Sequence, residues 1–84
     1  MYVVGAIIMS AFWEAHPGSE AELRALHALL TDASPVEVKD SFAATGQFEG
    51  SRVTLDLVQT RVRLDINEAA RVARILSVEA REVD

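Results

Sequence analysis

The chain opens on an apolar, β-branched run, Tyr2 to Ile8, which predicts a first strand with Gly5 as its weak point. From Ile8 the period changes. Ile8, Met9, Phe12 and Trp13 recur at helical spacing and form the apolar face of a first helix, which Pro17-Gly18 stops. Ser19 and Glu22 have the spacing of a capping box, each side chain able to satisfy an orphan backbone N–H of a second helix. The apolar face of that helix is Leu23, Leu26, His27 and Leu30. A second box follows, with Ser34 at the cap, Pro35 at the first helical position and Glu37 at the third. It predicts a short third helix with Val38 and Phe42 on one face. Gly46 and Gly50-Ser51 mark turns.

Two stretches of strict alternation come next. Val53, Leu55 and Leu57 share one face of the first, and Val62, Leu64 and Ile66 one face of the second. With Gln59-Thr60 as a two-residue loop, Leu57 faces Val62, Leu55 faces Leu64 and Val53 faces Ile66. The same register sets Asp56 opposite Arg63. A slip by one residue would turn every apolar side chain to solvent. The segment after Asn67 supports two readings. Propensity favours a helix capped by Asn67, with Ala69, Val72, Ala73 and Leu76 on one face. A strand over Val72 to Val78 is the alternative. The whole pattern predicts an α+β fold: an N-terminal strand and two helices, with a short third helix, packed on an antiparallel sheet. No repeat or linker interrupts it, so residues 1–84 read as one domain.

Composition narrows the class. Half of the 84 residues are apolar and a quarter charged, a globular balance. There is no cysteine, so neither a disulfide framework nor a thiolate metal site is available. The apolar start has no basic n-region and no small-residue cleavage pattern, and it is too short to span a membrane. The expectation is a cytoplasmic protein with no membrane contact. The net charge of −5 counts against broad nucleic-acid binding, which draws its free energy from Lys and Arg. The charge is uneven, however. Arg24 and Lys39 are the only bases up to Gly50, whereas Arg52, Arg61, Arg63, Arg71, Arg74 and Arg81 follow it. Any anion site belongs to that second part.

Other candidate chemistry is thin. His16, before Pro17 at a helix end, suits a capping role better than general-base work. His27 lies on the apolar face of the second helix and reads as a packing residue; two histidines so placed make no metal site. Phe12 and Trp13 have the spacing of core residues rather than of a base-stacking platform. Glu79, Glu82 and Asp84 are candidates for a general base, and equally an ordinary acidic end. No cofactor and no metal are called for.

Three runs carry a resemblance: FWEAHPGSEAELRA at residues 12–25, SPVEVKDSF at 34–42 and RVTLDLVQTRVRL at 52–64. Together they resemble the HigB toxins of the RelE-like superfamily, the first run being the most specific. The resemblance implies a RelE-like fold and favours the strand over residues 72–78. It also implies a toxin of a type II toxin–antitoxin system, neutralised by a helix-turn-helix antitoxin from the adjacent gene. Such a toxin is an endoribonuclease acting on translated mRNA at the ribosome, in which the 2′-OH attacks the neighbouring phosphate without a metal. By the same resemblance Arg63 and Arg61 are the catalytic candidates, and Arg52, Arg74 and Arg81 the RNA-binding ones. The chain departs from the family in its composition, and in a shorter connection after the second helix and a shorter turn before the last strand. GAIIMSAF stands where Arg and Lys are usual, and the ending SVEAREVD lacks the usual His and Tyr. These departures raise the alternative of a catalytically silent relative that binds an antitoxin or another protein.

Overall fold

The computed structural model describes residues 1–44 and 46–81, so Glu82 and Asp84 lie outside the described residues. The apolar start divides sooner than its composition predicts. Strand β1 is only Tyr2–Val4, and helix α1 is Ala6–Ala15. Gly5 makes the break: it sits at φ 88°, a left-handed conformation that costs a glycine little, and a Cβ there would meet the Ile75 carbonyl oxygen at 2.9 Å. His16 ends α1, its N–H donating to the Phe12 carbonyl at 2.8 Å. A single 3₁₀ turn, Pro17–Ser19, leads into α2, Glu20–Asp32. Helix α3 is Pro35–Ser41, and its predicted cap is present: the Ser34 hydroxyl accepts from the Glu37 N–H at 3.2 Å.

The first capping box does not form. Ser19 makes no side-chain cap bond, because the 3₁₀ turn holds it in a helical conformation (φ −95°, ψ −6°) rather than the extended one a capping side chain needs. Glu22 is thereby left free to reach elsewhere.

Strands β2 (Gln47–Glu49), β3 (Arg52–Asp56), β4 (Thr60–Asn67) and β5 (Val72–Ala80) complete one sheet with β1, in the order β1-β5-β4-β3-β2. All pairings are antiparallel except β1 with β5. The sequence pattern does not announce β2, a three-residue edge strand turned by Gly50. The β3–β4 hairpin closes one residue earlier than expected. Leu57 N–H donates to the Thr60 carbonyl at 2.8 Å, so Val58-Gln59 is the loop. Val53 pairs with Leu64, Leu55 with Val62, and Asp56 with Arg61 rather than Arg63. The displacement moves each partner by two residues, which keeps every apolar side chain on its own face.

After β4 the chain turns instead of entering a helix. The Asn67 side chain accepts from the Ala70 N–H at 3.0 Å, and Arg71 takes a positive φ of 54°. The chain then runs back as β5, burying Ala73 and Ile75 between β4 and β1. A bulge makes Leu76 the extra residue, since Ile75 pairs with Leu64 but Ser77 with Arg63. It returns Val78 to the inner face opposite Val62.

The helices cover one face of the sheet. Met9, Leu23, Leu26, Leu30 and Val38 pack on Val53, Leu55, Val62, Leu64, Ile66, Ala73 and Ile75. Phe12 and Trp13, expected in the core, are half-buried at its margin. The result is an α+β layout, consistent with a RelE-like fold. Among the described residues no helix is long and apolar enough to cross a membrane.

Candidate functional site

Strand alternation places the arginines. With Val53, Leu55, Val62, Leu64, Ala73 and Ile75 turned inward, Arg52, Arg61, Arg63 and Arg74 project from the opposite, open face. Register arranges them in rows across β3, β4 and β5. One row reads Arg52, Asp65, Arg74; the next Thr54, Arg63, Ser77; the third Asp56, Arg61, Glu79. Three of the five predicted arginines, Arg52, Arg61 and Arg63, are thus neighbours on one surface, with Arg74 one strand beyond.

Each central arginine has a carboxylate beside it. Arg61 Nε donates to Asp56 Oδ1 at 2.7 Å, with Nη2 3.5 Å from Oδ2. This hydrogen bond lowers the Asp56 carboxyl from its ordinary value, against the opposing effect of burial, and the charges of Arg61, Arg81 and Arg63 add to it. The expected Arg63–Asp56 pair is therefore absent; the two-residue register displacement gives Asp56 to Arg61. Arg63 instead lies 3.2 Å from Glu79, Nη1 to Oε1, an ion pair without hydrogen-bond alignment that leaves this shielded oxygen unbonded. Sequence reasoning offered Glu79, with Glu82 and Asp84, as a general-base candidate or an ordinary acidic end, and did not place it beside Arg63. Its alternation with Ser77 was the available signal, once β5 is taken as a strand. Arg52 and Arg74 stand exposed and form no ion pair among the described residues. Arg52 and Arg63 line one shallow depression with Thr54 and Gln47.

Arg81 is elsewhere. Its backbone N–H donates to the Gln59 carbonyl at 2.9 Å, and its guanidinium donates to the Leu57 carbonyl. It therefore braces the β3–β4 turn, with part of its charge directed toward Asp56. Glu22 braces the same turn from the helix side. Its carboxylate accepts from the Gln59 N–H at 3.0 Å and from the fully buried Thr60 hydroxyl at 3.0 Å. Nothing in the spacing of Glu22 distinguishes this role from a helix cap.

Between α2 and this turn runs a groove of about 480 Å³. Leu26, Leu29, Phe42, Leu57 and Val58 form its walls, and Glu22, Asp56 and Arg81 border it near the turn. His16 caps α1 through its backbone N–H, and its side chain makes no cap hydrogen bond. The His16 ring stacks on Phe12 at 4.5 Å, and His27 is partly buried beside Trp13 and Arg24. The Arg24 guanidinium lies over the Trp13 ring at 4.8 Å, which occupies one face of the indole. No group of acids and histidines suited to a metal is present among the described residues.

The fold and its site define an α+β chain with a row-ordered arginine face on one side of its sheet and an apolar groove on the other. No protein-family model matches the chain, and no curated protein matches it.

Proposed function

We propose that this chain is a HigB-like toxin component of a type II toxin–antitoxin system, an endoribonuclease that holds translated mRNA against the open face of its sheet. The observation that supports this most is the set of Arg52, Arg63 and Arg74 on one uncovered surface, two of them free of ion pairs among the described residues. In this reading Arg52 and Arg74 hold phosphates on either side of the cleaved one, and Arg63 neutralises charge that builds on the scissile phosphate. Glu79, in contact with Arg63, accepts the 2′-OH proton as that oxygen bonds to phosphorus. The P–O5′ bond breaks, leaving a cyclic phosphate, and solvent protonates the 5′ oxygen.

A catalytically silent, partner-binding relative is the second reading. It is favoured by the carboxylates that already hold Arg61 and Arg63, since a phosphate must displace them. Induction in cells and cleavage in a translating extract separate the two. The enzyme reading expects growth arrest and cut mRNA, with Arg63→Ala lowering the rate about 10²–10³-fold while the melting temperature holds. Abundant folded protein that neither slows growth nor cuts mRNA leaves the silent reading. Co-expression with the product of the adjacent gene tests the antitoxin, which the toxin reading requires and the silent reading allows.

A further inference from the structure

We infer that Tyr2 is a base-stacking subsite for single-stranded RNA, at the β1 margin of the open sheet face. The inference rests on the RNA-holding part of the proposed function and deepens it by adding a contact to a base. Val3 packs against the core, so strand alternation turns Tyr2 and Val4 to the open face. Pairing with β5 sets Tyr2 beside Val72 and Val4 beside Arg74. Tyr2 is 71 % exposed, and β1 is the edge strand, so no further strand lies beyond it. The other aromatic side chains are engaged elsewhere. Phe12 stacks on His16, Arg24 covers one face of Trp13, Phe42 lines the groove by α2, and Phe48 pairs with the inward-facing Val53. Tyr2 is thus the aromatic that the fold brings to the arginine rows, although it stands at the opposite end of the chain from Arg74.

The charge beside Tyr2 suits a nucleotide. Strand β1 has no charged residue, Arg71 and Arg74 are the first charges of β5 and its approach, and the first acid along β5 is Glu79. Asp65, opposite Arg74 on β4, forms no ion pair with it. Asp56 and Glu79, which hold Arg61 and Arg63, lie toward the β3–β4 turn at the other end of the face. The row Arg52, Asp65, Arg74 continues to Val4, so a strand of RNA laid along it reaches Tyr2 next to Arg74. Strand spacing and rise put the Cα atoms of Tyr2 and Arg74 about 8 Å apart. Side chains of that length hold a base and a neighbouring phosphate of one strand together. Stacking asks for no particular base, since every base has a π-face, and Val4 and Val72 give it an apolar floor.

The test uses the full chain and a short end-labelled single-stranded RNA, 2′-O-methylated throughout so that it cannot be cut. Fluorescence anisotropy should show Tyr2→Ala weakening binding about 5–150-fold, the range that losing one stacked base gives, and Tyr2→Phe leaving it unchanged. Tyr2→Leu, which keeps an apolar side chain on the strand but no π-face, should fall with Tyr2→Ala. Melting temperatures should hold in all three. The salt slope of Tyr2→Ala should equal that of wild type, whereas Arg74→Ala should lower its magnitude by about 0.7. An abasic residue at one position of the RNA should weaken binding to wild type and add no loss to Tyr2→Ala. Full affinity in Tyr2→Ala or Tyr2→Leu overturns the inference. So do losses that add at every abasic position, or self-association of the chain through Tyr2 in sedimentation. If Arg52→Ala and Arg74→Ala weaken RNA binding and Tyr2→Leu does not, this subsite alone fails. Wild type that binds no RNA overturns the subsite together with the RNA-holding reading.

Discussion

Two carboxylates do most to organise the site, and both act at the β3–β4 turn. Among the described residues Glu22 is the only side-chain partner of the buried Thr60 hydroxyl, and it also takes the Gln59 N–H. Glu22→Ala should therefore cost about 1–3 kcal/mol, the penalty for an abandoned buried donor, while Glu22→Gln, which keeps an acceptor, should lose less. Urea midpoints with unchanged slope would measure both. Asp56 has a folded-state pKa depressed by its hydrogen bond with Arg61. A depressed carboxylate contributes stability above its unfolded value, here the usual 3.8, and that contribution disappears as pH falls through the lower folded value. Wild type and Asp56→Asn should thus differ most near neutral pH and converge in strong acid, by denaturant melts across that range.

Among the elements, β5 carries the most consequence. Its residues have helical propensity, yet a helix there would leave β1 without a partner and one edge of β4 unpaired. The turn at Asn67 and the left-handed Arg71 redirect the chain into the sheet, where Arg71 also accepts from the Tyr2 N–H at 2.9 Å. Arg71 holds φ 54° without the freedom of glycine. Arg71→Gly should relieve that conformation and stabilise the fold by up to about 1 kcal/mol, the lost strain being partly offset by the greater entropy of the unfolded glycine. Thermal unfolding checks the sign. Because β5 is a strand, Arg74 and Glu79 share a face with Arg63, and the candidate site exists at all.

For the whole molecule, the two halves divide the electrostatic work. The helical half holds the excess of acids, while the later half balances Arg with Asp and Glu. In the proposed reading, RNA binding is local and only moderately salt-dependent. Three phosphate contacts, from Arg52, Arg63 and Arg74, would give a slope of about −2 in log affinity against log salt for a single strand. Arg52→Ala should reduce its magnitude by about 0.7. Filter binding over a salt series would read it, and an unchanged slope would remove Arg52 from the interface.

The alternation of Val53, Leu55, Val62 and Leu64 sufficed to predict two strands and to put Arg52, Arg61 and Arg63 on one polar face, because a half-buried strand must repeat every two residues. The helical spacing of Leu23, Leu26 and Leu30, and the cap at Ser34, were equally legible, being local. The hairpin register was not: a displacement of each partner by two residues preserves the faces, so hydrophobicity cannot distinguish the two pairings, and the observed one is held by Glu22 at Gln59 and Thr60 and by Arg81 at Leu57 and Gln59. The pairing of Arg61 with Asp56 follows from that register, and that of Arg63 with Glu79 from the pairing of β4 with β5. The fate of residues 72–80 was likewise beyond local propensity, since the pairing that makes them a strand lies with β1 at the other end of the chain and with β4.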